Sequence, residues 1–260
     1  MRRPSPGGEH SRDPIDATCE DSLMTTLDDT PTPTLATAAP PFSKALRIVA
    51  GLSLIVAGLL NGLPQAVVAA LTGDLSFGEQ IAWGAEHPLV QGLEQTALVV
   101  SSLVMPLGLL AIAHVSRFRA PVLTAIATPL VVWGMWGFGN VLAMGYVAGT
   151  VAPSVLSVDD AVALNDGLGS PPGAVATALV PHLIGSFLGL VLLGIAAWRS
   201  GAFPRTAVAL LLAFLLWDFL LPPLGPVDAH VLLVVAWVWL GVRLLRMPDS
   251  VWRGAPTGAA

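Results

Sequence analysis

Asp218, His182 and His230 are the residues of this chain best suited to chemistry, because each stands in or beside a long apolar run. The stretch FLLWDFLLPPLGPVDAH, Phe214 to His230, puts a carboxylate in otherwise greasy sequence and follows it with three prolines, a second aspartate and a histidine. An ionisable group at membrane depth costs about 2.5–3.5 kcal/mol on insertion scales, and it normally faces the protein interior or a watery cavity. Imidazole and carboxylate together suit Zn²⁺ or another transition metal. The same groups relay protons, since histidine titrates near neutral pH. A structural reading stands beside these: Asp218 pairs with His230 across a hairpin, or caps helix-end amides. No HExxH or other close-spaced ligand pair favours the metal.

Further polar residues share the pattern. Asn61, Asn140 and Asp218 each lie late in an apolar segment, and His87, His182 and His230 each lie at or before the start of the next one. Glu94 adds a second carboxylate. The sequences around these positions do not align convincingly as a repeat. The candidate binding set is therefore His182, Asp218, His230, Asn140, Glu94 and Asn61, with no catalytic residue, metal or cofactor assigned.

The elements that position these residues are membrane helices. Of 260 residues, 54% are hydrophobic and 11% charged, against about 25% charged in a soluble domain. Mean hydropathy is +0.75. Apolar runs of the length needed to cross a hydrocarbon core of roughly 30 Å recur along the chain. Six helices are predicted, over about 45–71, 89–113, 121–147, 174–198, 206–221 and 229–245, with a kink at Pro64 and a further proline at Pro106. The expected fold is an all-α bundle of six transmembrane helices. Residues 1–43, rich in Pro, Thr, Ser and Asp, read as a disordered tail, because such composition buries too little apolar surface to offset its ordering entropy. Residues 248–260 read as a short tail. Arg2-Arg3 is not followed by an apolar h-region, so no cleavable signal is expected. Met24 is an alternative start. Cys19 is the single cysteine and excludes an intramolecular disulfide or a CxxC motif.

Basic residues set the orientation. Lys44 and Arg47 precede the first helix, Arg117 and Arg119 follow the second, Arg199 and Arg205 link the fourth and fifth, and Arg243, Arg246 and Arg253 close the chain. The other connections hold no Lys or Arg; they carry Asp74, Glu79 and Glu86, then Asp159, Asp160 and Asp166, then PPLGPVD. Cytoplasmic loops collect Lys and Arg, so both termini are expected in the cytoplasm. A usage of one lysine with abundant Ala, Gly, Leu and Val fits a high-GC bacterium, which makes the plasma membrane the expected location. Ser157 followed by Asp160 resembles a capping-box start for a short helix on the membrane surface. Trp83, Trp198 and Trp252 read as interfacial anchors, and His114 as a solvated residue beside Arg117.

Height along the bundle follows from sequence distance. Asp218 lies thirteen residues after Arg205 and His230 thirteen before Arg243, so both stand roughly 20 Å from the basic side at 1.5 Å per residue. His182, seventeen residues before Arg199, stands at roughly 25 Å. The pairs Gly58/Gly62 and Gly185/Gly189, and Gly134 with Gly137 in WGMWGFGN, allow close helix approach, either within the chain or to a partner. Alternatively, Asn140 and these glycines line a solute path, with Trp133 and Trp136 as a stacking wall.

Several activities are disfavoured by absence. Ser186 lacks the full serine motif of rhomboid-type proteases. The acidic side offers no cationic clamp for phosphate chemistry, there is no Walker A sequence, and no basic patch suits nucleic acid. The leading expectation is a non-enzymatic integral membrane protein that binds or passes a small solute or proton, with the lipid bilayer as its surroundings. The alternatives are a membrane enzyme or metal- or haem-binding protein using His182, His230 and Asp218, and a membrane subunit that meets another chain or a second copy of itself through its glycine faces.

Overall fold

The computed structural model describes residues 42–73, 75–221 and 228–254. The predicted N-terminal tail with Cys19 and Met24, and most of the PPLGPVD turn, fall outside those residues. Within them the chain is all-α, with no strand.

All six predicted segments are helical. They are α1 (Phe42–Thr72), α3 (Pro88–Ser116), α4 (Pro121–Tyr146), the run from Pro172 to Ser200 that ends in α8 (Phe187–Ser200), α9 (Arg205–Leu220) and α10 (His230–Leu245). Between them lie the short helices α2 (Phe77–Glu86), α5 (Ala152–Val155), α6 (Val158–Leu168) and α7 (Pro172–Ala174), and α11 (Asp249–Trp252) follows the last. Among the described residues, four stretches are long and apolar enough to cross a membrane: Lys44–Thr72, Pro88–Ser116, Pro121–Val155 and Pro172–Ser200. Helices α9 and α10 are shorter, at 16 residues each. Helix α1 runs unbroken through Pro64, as α3 does through Pro106. Neighbouring groups in a bundle can re-satisfy the carbonyl that a proline frees.

The six helices close a ring. α1 packs against α10 and α3, α3 against α4, α4 against α8, and α8 and α10 against opposite sides of α9; α3 also meets α8 across the middle. Leu54, Leu109, Ile112, Leu193, Leu215 and Leu240 form its dry centre. Outward, Leu63, Leu103, Ile126, Trp136, Leu183 and Leu216 are exposed. A continuous apolar exterior is anomalous in water and ordinary in lipid.

The glycines are used inside the ring. A Cβ on Gly185 would stand 2.6 Å from the Gly134 nitrogen, one on Gly189 2.7 Å from the Val131 nitrogen, and one on Gly58 2.9 Å from Trp237 Cβ. Backbones therefore meet where α4 crosses the Pro181–Gly189 stretch and where α1 crosses α10. Of the two uses open to these glycines, packing within the chain is the one seen at Gly58, Gly134, Gly185 and Gly189.

Charge is segregated along the ring. Lys44, Arg47, Arg117, Arg199, Arg205 and Arg243 sit at one end of their helices, and the described carboxylates other than Asp249 sit towards the other. The basic end is knitted together. Arg119 donates to the Ser200 carbonyl at 2.7 Å, Arg243 Nε donates to the Ala202 carbonyl at 2.9 Å, and Arg47 pairs with Asp249. Two sequence readings change here. Trp252 is no interfacial anchor but is buried, 4.5 Å from the His114 ring. His114 is correspondingly not merely solvated: its Nε2 lies 3.1 Å from the Trp252 carbonyl oxygen. The segment expected as a plain tail thus opens with a docked turn, because Val251 and Trp252 have an apolar surface to bury.

At the acidic end, α6 begins where expected: Ser157 Oγ accepts from the Asp160 amide at 3.2 Å. Helix α2 was not anticipated. Its start is a full capping box, with the Ser76 amide donating to Glu79 Oε2 at 2.7 Å and Ser76 Oγ accepting from the Glu79 amide. The S-x-x-E spacing of Ser76 and Glu79 was the available signal. Ser76 Oγ–H also donates to Glu79 Oε2 at 2.6 Å, and this bond, followed by the one from the Ser76 amide, holds the Glu79 carboxyl below its usual range. α2 packs on α6 around Ile81, Ala152 and Ala161, so α6 belongs to a small roof and does not lie alone on a membrane surface.

Candidate polar cavity at the acidic end

Polar side chains gather in two neighbouring chambers at the acidic end. The first, about 350 Å³, opens between α1, α2, α3 and α9; Gln65, Thr72, Gln80, Glu94, Asp218 and Asp228 contribute to its walls. The second, about 260 Å³, lies within the ring and is lined by Asn61, Gln65, His182, Ser186, Asp218 and His230, together with aromatic and aliphatic side chains. Gln65 and Asp218 belong to both walls. Three of the expected residues, His182, Asp218 and His230, therefore converge on one cavity, and Asn61 joins them.

Local structure explains each placement. Helix α1 presents Asn61 and Gln65 four residues apart on one face. Asn61 is 2% exposed. Its Nδ2 donates to Ser101 Oγ at 3.3 Å, and its Oδ1 accepts from Gln65 Nε2 at 3.1 Å. His182 and Ser186 come from a π-helical segment, Pro181–Ser186. His182 Nδ1 lies 3.3 Å from Ser186 Oγ, and the ring stacks 5.2 Å from Phe138 and lies 5.7 Å from Phe219. A π segment is commonly found at a functional site because it turns side chains out of helical register.

His230 has a different partner from the one expected. Its backbone N–H and its ring Nδ1–H both donate to Asp228 Oδ1, each at 2.7 Å. Asp228, two residues earlier, reaches the first amide of α10 without any cross-helix geometry, so it wins the imidazole and caps the helix at once. Burial alone would raise the Asp228 carboxyl, but the hydrogen bonds and positive field of His230 outweigh it and hold the group below the usual carboxylate range. Asp218 forms no hydrogen bond or ion pair among the described residues; it faces the two chambers instead.

Two candidates stand elsewhere. Asn140 is not in the inner cavity. Its Nδ2 donates to the Thr177 carbonyl at 2.9 Å, tying α4 to the π-helical Val175–Leu179 segment. Glu94 lines the outer chamber and a smaller one beside it, shared with Gln91, Gln95 and Asn165. Residues that sequence reasoning passed over are Gln65, Asp228 and Trp237. Gln65 was signalled by its spacing from Asn61, and Asp228 by its place just before a helix start.

Metal ligation finds no support. Among the described residues, no three His, Cys, Asp or Glu side chains are close enough together to hold an ion. Among its described residues, the inner cavity has one carboxylate, the amides of Asn61 and Gln65, the Ser186 hydroxyl, two imidazoles and an aromatic wall, the composition of a small-molecule pocket. No protein-family model, curated protein or solved structure matches this chain, so the reading of the site rests on its own residues.

Proposed function

We propose that the chain is a multi-pass protein of a bacterial plasma membrane, spanning six times with its basic end in the cytoplasm, and that it takes a small solute or proton from the outer side into the inner cavity. The observation that carries the second clause is the pair Gln65 and Asp218, common to both chambers. A carboxylate at that depth is costly unless it meets water, a proton or a ligand. For the topology, the support is the segregation of Lys and Arg to one end of the ring.

Helices α9 and α10, at 16 residues, rise about 24 Å each, some 6 Å short of the hydrocarbon thickness. Local thinning of the bilayer accommodates such a shortfall at a fraction of a kcal/mol per Å. The flanking Arg205 and Arg243 can reach the interface along their own stems. In a Cys19→Ser background, cysteines placed at Asp160 and Arg117 are expected to react with an impermeant thiol reagent from opposite faces of sealed vesicles. Labelling from one face would end the six-span reading.

The transport clause is tested with the full chain in proteoliposomes under an imposed pH gradient. Proton flux is expected, and Asp218→Asn is expected to lower it at least tenfold. Flux that survives the substitution would remove Asp218 from the mechanism.

A further inference from the structure

The lining of the inner cavity selects among small solutes by charge. Among the described residues, neither chamber has a lysine or arginine in its wall. Of the three ionisable groups described in the inner wall, His230 is matched by Asp228, His182 lies against Ser186, and Asp218 forms no hydrogen bond or ion pair among the described residues. Glu94 and Asp228 in the outer chamber extend the negative field towards the acidic end. Walls of one sign around a low-dielectric cleft concentrate ions of the opposite sign. An anion would meet no guanidinium or ammonium clamp.

The rest of the wall suits the body of an organic cation. Phe138, Phe214, Phe219 and Trp237 all contribute to it, with Met105 and Met135 filling the gaps. Aromatic rings attract alkylammonium groups through their quadrupoles, and thioethers are soft and adaptable neighbours. At about 260 Å³, the space lies below the roughly 300–1,000 Å³ typical of drug-sized ligands. It therefore fits a compact molecule.

One more group narrows the class. Trp237 is 1% exposed and belongs to the cavity wall. Its indole Nε1–H, though buried, has no hydrogen-bond partner among the described residues. A buried donor left unmade costs about 1–3 kcal/mol, so such a group calls for an acceptor. Carboxylate, aromatic wall and orphan donor together point to a ligand with a cationic nitrogen at one end and an oxygen acceptor at the other.

We propose that the inner cavity binds a small alkylammonium ion carrying a hydroxyl or carbonyl oxygen, with Asp218 facing the nitrogen and Trp237 donating to the oxygen. This rests on the reading of the two chambers as a solute path, and it names the solute's chemistry.

Calorimetry on the full chain in maltoside micelles tests it, with choline as the probe, 3,3-dimethylbutan-1-ol as the neutral carbon isostere, and tetramethylammonium as the cation without oxygen. Choline is expected to bind at least tenfold more tightly than the isostere. Asp218→Asn is expected to remove that preference, bringing choline to the level of the isostere in the same variant. Trp237→Phe is expected to bring choline down to the level of tetramethylammonium. Equal binding of choline and isostere by the unaltered chain overturns the proposal, and that comparison needs no variant to fold. Choline binding that ignores Asp218→Asn overturns it as well. Proton flux without choline binding overturns the ligand class alone, whereas loss of both flux and binding removes the solute path with it.

Discussion

Gly185→Leu is expected to lower the stability of the folded chain by about 3 kcal/mol, the upper end of the usual range for overpacking. In a chain of this size that is a fall of roughly 6–12 °C in the thermal midpoint, read by light scattering or intrinsic fluorescence in detergent. The argument is geometric. The first atom of any side chain at 185 would stand 2.6 Å from the Gly134 nitrogen and 2.9 Å from the Leu130 carbonyl oxygen. Both are backbone atoms of α4, and neither can rotate away as a side chain would. The two segments must part, and the wall that carries His182 and Ser186 moves with them. Gly173→Ala is the control, since a Cβ there meets nothing within 4 Å. Its effect is expected within about 0.5 kcal/mol. A Gly185→Leu chain that melts with the unaltered one would show that this crossing does not hold α4 in place.

Trp237→Ala is expected to cost about 3 kcal/mol, at the low end of the range for truncating a buried aromatic. The low end applies because lipid is as apolar as the protein interior, which weakens the transfer part of the penalty. What is lost is packing. Trp237 sits at the α1–α10 crossing, with its Cβ against the space a Gly58 side chain would need, and it also forms part of the cavity wall. Removing it leaves a void lined by atoms without partners. Trp237→Phe keeps most of the volume and is expected to cost under about 1.5 kcal/mol. Chemical unfolding in mixed micelles separates the two. Equal losses for both variants would overturn the reading that ring volume packed at the crossing sets the penalty.

The cavity joins these two effects. Its walls come from α1, α3, α4, the π-helical stretch at 181–186, α9 and α10, that is, from nearly the whole ring. Close crossings at Gly134/Gly185 and Gly58/Trp237 bring the backbones together, while the π turn at His182 and Ser186 keeps polar side chains pointed into the gap. A packed ring with one polar hollow follows from where glycine and π-helical geometry fall.

Much of the architecture was legible in the chain as written. Six apolar runs became six helices, Lys and Arg fell to one end of them, and Ser157 capped a helix as its spacing implied. These features depend on hydropathy, charge and local hydrogen bonding, which act over a few neighbouring residues. The similar heights of His182, Asp218 and His230 were legible too, since rise per residue fixes height along a helix of known ends. Rotation about the helix axis was not foreseeable. A helix bathed in lipid is apolar on every side, so no stripe marks the face that turns inward. Tertiary packing alone therefore took Asn140 out of the cavity, drew Asn61 in, and put Trp237 in its wall. The Asp228–His230 bond, by contrast, is local, since a partner two residues away needs no cross-helix geometry; packing decided that Asp218 faces the chambers.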